Sequence, residues 1–277
     1  MSTLSAFNTF TSGLKEDGYL MPVLFVGHGS PMNGIESNTF SRRWAALAQE
    51  IPVPKAVLVI SAHWLSRGTR ITAMDFPKTI HDFGGFPQEL FEVQYPAPGN
   101  PQLAKETAQL FRSTELVQDH DWGLDHGSWT IVRHMYPEAN VPVLQLSIDF
   151  TKGPQYHYEL ARELYGLRKK GVLIMGSGNM VHNLRMLSWD KMAEPEYGFD
   201  WALQLNEKFK EHIAAGSHQA LIRYESMGSE ARLAIPTVEH YLPLLYTLGL
   251  QGKEEEVSFF NDKAVGGSLT MTSVKIG

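Results

Sequence analysis

Val23-Leu24-Phe25-Val26-Gly27 is the stretch on which the fold turns. It is apolar without alternation and runs straight into the turn-formers Gly29, Ser30 and Pro31. A short run of this kind reads as a strand buried on both faces, as in a parallel sheet covered by helices. Ala56-Val57-Leu58-Val59-Ile60-Ser61 repeats the pattern, and Val141–Ser147 and Val172–Gly176 extend it. Helical stretches lie between them. Over Phe40–Ile51, Trp44, Leu47 and Ile51 fall on one face at spacings of three and four. Pro101–Arg112, Tyr156–Lys170 and Asp200–Ala215 read as further helices, Arg70–Met74 as a shorter strand, and Val257–Ile276 as two closing strands that add antiparallel edges. Strands alternating with helices predict an α/β fold, a three-layer sandwich whose largely parallel, mixed central sheet is flanked by helices. Asp75–Pro101, rich in Pro, Gly and aromatics, reads as a long ordered loop that carries function or covers a site. Residues 1–20 are expected to form an N-terminal arm and 21–277 a single catalytic domain.

Composition removes several classes of function. The 277 residues carry a formal net charge of −6 and a pI near 6.0, the wrong sign for a phosphate-binding face. With no cysteine, disulfides, thiolate metal sites and cysteine nucleophiles are excluded, so any metal is held by His, Asp or Glu. No apolar run reaches the roughly 18–20 residues of a membrane span. The first residues lack the apolar core of a signal peptide. A cytoplasmic protein, monomeric or a small homo-oligomer, is the expectation, with neither nucleic acid nor membrane as partner.

Among the eleven histidines, placement is the signal. His28 follows the first predicted strand, His63 the second, and His182 lies just past the strand at Val172–Gly176. Ligands of open α/β sheets bind beyond the carboxyl ends of strands, so these three imidazoles converge on one crevice. Pro243 places a helix start close to His240, and His126 sits in a glycine-containing turn, Asp125-His126-Gly127. His120, His134, His157, His212 and His218 read as surface residues, and His81 belongs to the long loop. Neutral imidazole suits Fe(II), Zn and Cu, and three ligands on one face leave positions open for substrate and O₂.

Gly27-His28-Gly29-Ser30-Pro31, Ser61-Ala62-His63-Trp64, the loop Thr79–Pro87, Asp125–Trp129, Gly178–Leu184 and Thr237–Pro243 together resemble the class III extradiol (LigB-like) ring-cleavage dioxygenases, in the branch that cleaves 3,4-dihydroxyphenylalanine. The resemblance runs from about Met21 onward, in the family's order. It implies a mononuclear non-haem centre that opens a catechol with O₂, Fe(II) as the working metal, and Zn(II) in purified protein. His28, His63 and His240 match the ligands. His182 matches the acid/base histidine and is either that alone or also a fourth ligand, and His126 matches a second catalytic histidine. The protocatechuate members use Glu as third ligand, whereas here that position is His240 beside Glu239. Phe83–Phe86, Trp64 and Trp129 are expected to wall the ring. The alternative is a zinc-dependent hydrolase on the same cluster, with Glu239 or Asp125 as base. A protein with a structural zinc is disfavoured because such sites are closed and usually contain Cys.

Overall fold

The structure is a computed structural model that describes residues 18–192, 194 and 196–277. The arm expected over 1–20 lies outside the described residues as far as residue 17. Eight strands form the central sheet: β1 (Val23–Gly27), β2 (Ala56–Ser66), β3 (Thr69–Thr72), β4 (Leu116–Asp119), β5 (Val143–Asp149), β6 (Val172–Gly178), β7 (Val257–Phe260) and β8 (Ser273–Ile276). Their order is β4-β3-β5-β2-β6-β1-β8-β7. The inner pairs β5/β2, β2/β6 and β6/β1 are parallel. β8 pairs antiparallel with β1, and β7 with β8, so the two closing strands are where the tail's alternation put them.

The apolar runs make sense of this arrangement. Successive side chains of a strand point to opposite faces. Phe25, Leu58 and Ile60 enter one core, and Leu24, Val26, Val57 and Val59 the other. Helices Thr39–Glu50 (α1) and His126–Met135 (α3) cover the second face. Pro154–Glu163 (α4) and Leu242–Gly249 (α7) cover the first, with Asp200–Ala214 (α6) outside them. Pro101–Leu110 (α2) flanks β3 and β4. The layers are therefore helix, mixed sheet, helix.

The structure departs from the sequence-based expectation in several places. The helix expected over Tyr156–Lys170 is two, α4 and Tyr165–Lys169 (α5), parted at Leu164 where the amide turns back to the third residue before it. β2 runs on to Ser66, so His63 lies within a strand, at the irregularity between Ile60 and Leu65, rather than after one. Such an irregularity re-aims side chains beside active sites. His126 begins α3, whose amide at Ser128 is capped by the Asp125 carboxylate, rather than sitting in a free turn. His240 stands in the turn just before α7. His157, read as a surface residue, is 0% exposed and hydrogen-bonded to the Tyr246 hydroxyl at 3.0 Å. Among the described residues no helix is long and apolar enough to cross a membrane.

Candidate metal centre

In the sheet, β2, β6 and β1 are neighbours and parallel, so their carboxyl ends open on one side of the molecule. That order brings His63, His182 and His28 together from distant parts of the chain. Two glycines make the approach close enough. Gly29 holds φ at +63°, turning the chain directly after His28. Gly178 lies so near the segment bearing His240 that a Cβ there would stand 2.1 Å from the His240 carbonyl oxygen.

The resulting cluster contains all five histidines. The rings of His28 and His63 are 5.0 Å apart, His63 and His126 3.9 Å, His28 and His240 5.3 Å, and His63 and His240 5.0 Å. His182 stacks on His240 at 3.6 Å. The candidate ligand atoms of His28, His63 and His126 all lie within 4.8 Å of one another, the one such group among the described residues. His240, the expected third ligand, borders that group without belonging to it.

Polar partners stand behind four of the rings. Ser177 Oγ donates to the Gly127 carbonyl, so it accepts from His28 Nδ1–H at 3.0 Å. The nearest carboxylate to His63 Nδ1 and to His126 Nδ1 is Asp82 Oδ2, at 3.2 and 3.0 Å. His240 Nδ1 lies 3.3 Å from Glu239 Oε1. In His28, His126 and His240 Nδ1 is thus engaged, and Nε2 is the nitrogen left to face a ligand. The Nε2 atoms of His28 and His63 face each other at 3.1 Å. Two nitrogens bound to one ion at about 2.0–2.1 Å stand roughly 3 Å apart. Metal-bound histidines characteristically give their other N–H to a carboxylate or carbonyl. The donor set therefore fits a divalent metal. His182 differs: among the described residues no side chain hydrogen-bonds its ring.

Electrostatics agree. Burial, with the neighbouring imidazoles adding to it, pushes His28 well below the ordinary histidine range. Burial lowers His126 as well, pushes His240 down to about 4, and pushes His182 down to about 2. These rings are neutral at physiological pH, the form that binds metal. Burial works to raise Asp82, but the hydrogen bonds from His126 and His63 prevail and hold it well below the usual carboxylate range.

A cavity of about 250 Å³ opens onto the cluster, lined by all five histidines and otherwise mostly apolar. Phe83 and Phe86 line it, as expected for this loop. Trp64 and Trp129 do not: Trp64 stacks on Trp122, and the fully buried Trp129 donates its indole N–H to the Ile80 carbonyl and so anchors the loop. Leu184, Leu187, Trp189 and Met192 also line the cavity, and sequence reasoning missed them. Its signal was available as the run of apolar residues just after His182 in a stretch with no strand pattern. Asp82 was also missed, although it lies inside the loop Thr79–Pro87. The two carboxylates of the hydrolase alternative are both engaged, Asp125 by Ser61, Gln145 and the α3 amide, Glu239 by Thr237 and His240. Neither lines the cavity.

Comparison with known proteins bears directly on this geometry. Residues 22–272 match the family described as the catalytic LigB subunit of aromatic ring-opening dioxygenase. The chain is 44% identical over 262 residues to the 4,5-DOPA dioxygenase extradiol of Escherichia coli K12, covering 93% of this chain and 95% of that one. It is 34% identical to the 4,5-DOPA dioxygenase extradiol of Beta vulgaris, covering 91% and 94%. A crystal structure of an uncharacterized Escherichia coli K12 protein superposes with a TM-score of 0.80 at 40% identity, covering 93% of this chain and all of that one.

Proposed function

The chain belongs to the LigB family of aromatic ring-opening dioxygenases, and from that premise we propose that it opens 3,4-dihydroxyphenylalanine or a close catechol between carbons 4 and 5. The enzyme class itself, an extradiol dioxygenase using a catechol and O₂, follows from the family and its relatives. The observation that carries the site is the convergence of His28 and His63, whose Nε2 atoms face each other at 3.1 Å. Our reading takes His28, His63 and His240 as the metal ligands, His182 as the proton-transfer group and as the side chain able to close in as a fourth ligand, and His126 as its helper. Fe(II) is the working metal in this reading. Zn(II), favoured over Fe(II) on raw affinity, is the ion expected in purified protein. The compactness of the His28–His63–His126 group supports a second ligand set, in which His126 replaces His240. A single catalytic domain over 21–277, a cytoplasmic location and a monomer or small homo-oligomer complete the proposal; one sheet running from Val23 to Ile276 supports the first.

An iron(II) ion held there supplies Lewis acidity toward the catechol oxygens and electrons toward O₂. The protein's own groups do the rest. The ring enters between Phe83 and Phe86 on one side and Leu184, Leu187 and Trp189 on the other, which exclude water from it. In this reading His182 takes up a catechol proton and later returns it as an acid. Its ring stacks on His240 and neither of its nitrogens is committed to a side-chain hydrogen bond among the described residues, which suits that task. His126, fixed by Asp82, presents its Nε2 to the same space.

The test is anaerobic Fe(II) reconstitution followed by O₂ and a panel of catechols, read by the absorbance of semialdehyde products. Ring opening of 3,4-dihydroxyphenylalanine ahead of protocatechuate is the expected result. No ring opening of any catechol in the iron-loaded protein would defeat the reading. Metal content of His240→Ala beside His126→Ala decides between the two ligand sets.

A further inference from the structure

Asp82 lies in the loop expected from sequence to govern substrate access, yet its carboxylate faces the histidines. Oδ2 accepts from His126 Nδ1 at 3.0 Å and lies 3.2 Å from His63 Nδ1, and Oδ1 takes the His126 backbone N–H at 2.9 Å. Its neighbour Phe83 sits edge-on to His126, with 5.6 Å between ring centres, and lines the cavity. The loop itself is pinned. Trp129 donates to the Ile80 carbonyl, the Ile80 amide donates to the Leu124 carbonyl, and His81 Nε2 bonds the Val93 carbonyl.

We propose that Asp82 is a positioning residue for the metal centre, one carboxylate that orients two imidazoles at once and supplies a negative charge that the neutral histidines lack. The proposal rests on the reading of His63 as a metal ligand. Three neutral imidazoles leave both charges of a divalent ion uncompensated. Asp82 behind His63 and Glu239 behind His240 place two carboxylates one ring away from the ion, which restores the balance without using a coordination position. Because Asp82 also holds His126, the tautomer of a catalytic ring and the basicity of a ligand are set by the same group. Outer carboxylates of this kind typically change metal affinity about 10–100-fold when removed. The loop thus has two parts with separate duties: Asp82 serves the metal, and Phe83 with Phe86 serves the substrate.

The experiment is calorimetric titration of Zn²⁺, and of Co²⁺ with its visible spectrum, into the metal-stripped full chain. Wild type is compared with Asp82→Asn and Asp82→Glu, and thermal melting of each metal-free protein reports folding. Asp82→Asn is expected to bind both ions about 10–100-fold more weakly with an altered Co²⁺ spectrum, and Asp82→Glu, which keeps the charge, to recover part of the loss. Equal affinity and an unchanged spectrum in Asp82→Asn, or no recovery in Asp82→Glu, overturns the role of Asp82 alone. Absence of Zn²⁺ and Co²⁺ uptake by the wild-type chain overturns the metal reading and this proposal with it. If Asp82→Asn fails to fold, ¹⁵N chemical shifts of the imidazoles in the metal-free wild type decide the matter. Nδ1–H tautomers at both His63 and His126 support the proposal, and an Nε2–H tautomer at either ring overturns it.

Discussion

Two regions of this molecule bury histidine, one within a helical layer and one at the carboxyl ends of the strands, with different results. His157, on α4, is fully enclosed beside Tyr246 of α7, and burial pushes it down to about 4. In the cluster, His28, His126, His182 and His240 are shifted in the same direction by the same main cause. Burial and a lowered pKa therefore do not distinguish a centre from a core residue. Convergence does: in the cluster, ring nitrogens from several elements face a common point with polar partners behind them, whereas His157 shares one nitrogen with a phenol and is enclosed by helix packing.

The largest expected effect tests that contrast directly. His28→Ala should abolish stoichiometric metal binding and ring opening together, while His157→Gln should leave metal content unchanged by elemental analysis. Full metal in His28→Ala would erase the distinction. Next comes the ring that the cluster does not tether. His182→Gln should retain most of the metal and still bind catechol, yet turn over about 10²–10⁴-fold more slowly. Loss of metal in that variant would make His182 an obligatory ligand and move proton transfer to His126.

A smaller effect belongs to His157. The folded pKa of this base is depressed, so between the unfolded value near 6.5 and the folded value of about 4 the unfolded chain binds a proton that the folded chain refuses. Its stability contribution is complete above that window and is lost as pH falls through it, by about 3 kcal/mol in total. Urea unfolding of the Zn-loaded protein at pH 7 and pH 4 should therefore show a loss that His157→Gln reduces by about that amount. An identical pH dependence in the two proteins would show the shift to be illusory. The smallest effect lies at the cavity wall. Phe83→Ala should raise KM for catechols about tenfold, as expected for one lost aromatic contact, with metal affinity intact. Weakened metal binding in that variant would mean that the two halves of the loop do not act separately.

Much of this was legible because apolar runs and strand ends are local signals. Val23–Gly27 and Ala56–Ser61 announce a covered parallel sheet, and a histidine next to each announces a crevice. β4 was not legible: of Leu116–Asp119 only Leu116 is buried, since an edge strand has little to hide. α3 was hidden by its composition. It opens on His126, Gly127 and Ser128 and continues through Thr130, Ile131 and Val132, all poor helix formers, and tertiary burial with the Asp125 cap overrides their preference. The dual role of Asp82 was beyond reach for a different reason. It is a relation among three residues in space, and no spacing along the chain encodes it.

The antiparallel closing strand has a consequence in time. β1, which delivers His28, lies between β6 and β8, and the Gly27 amide donates to the hydroxyl of Ser273, 246 residues further along. A nascent chain leaving the ribosome therefore carries His28 and His63 for most of its synthesis with no finished place to put them. The strand that aims His28 is flanked on both sides only once Ser273–Ile276 has emerged. Pairings of such long range are slow to form. The histidines thus meet as a set only after β8 has closed on β1, late in folding rather than when the first strands form.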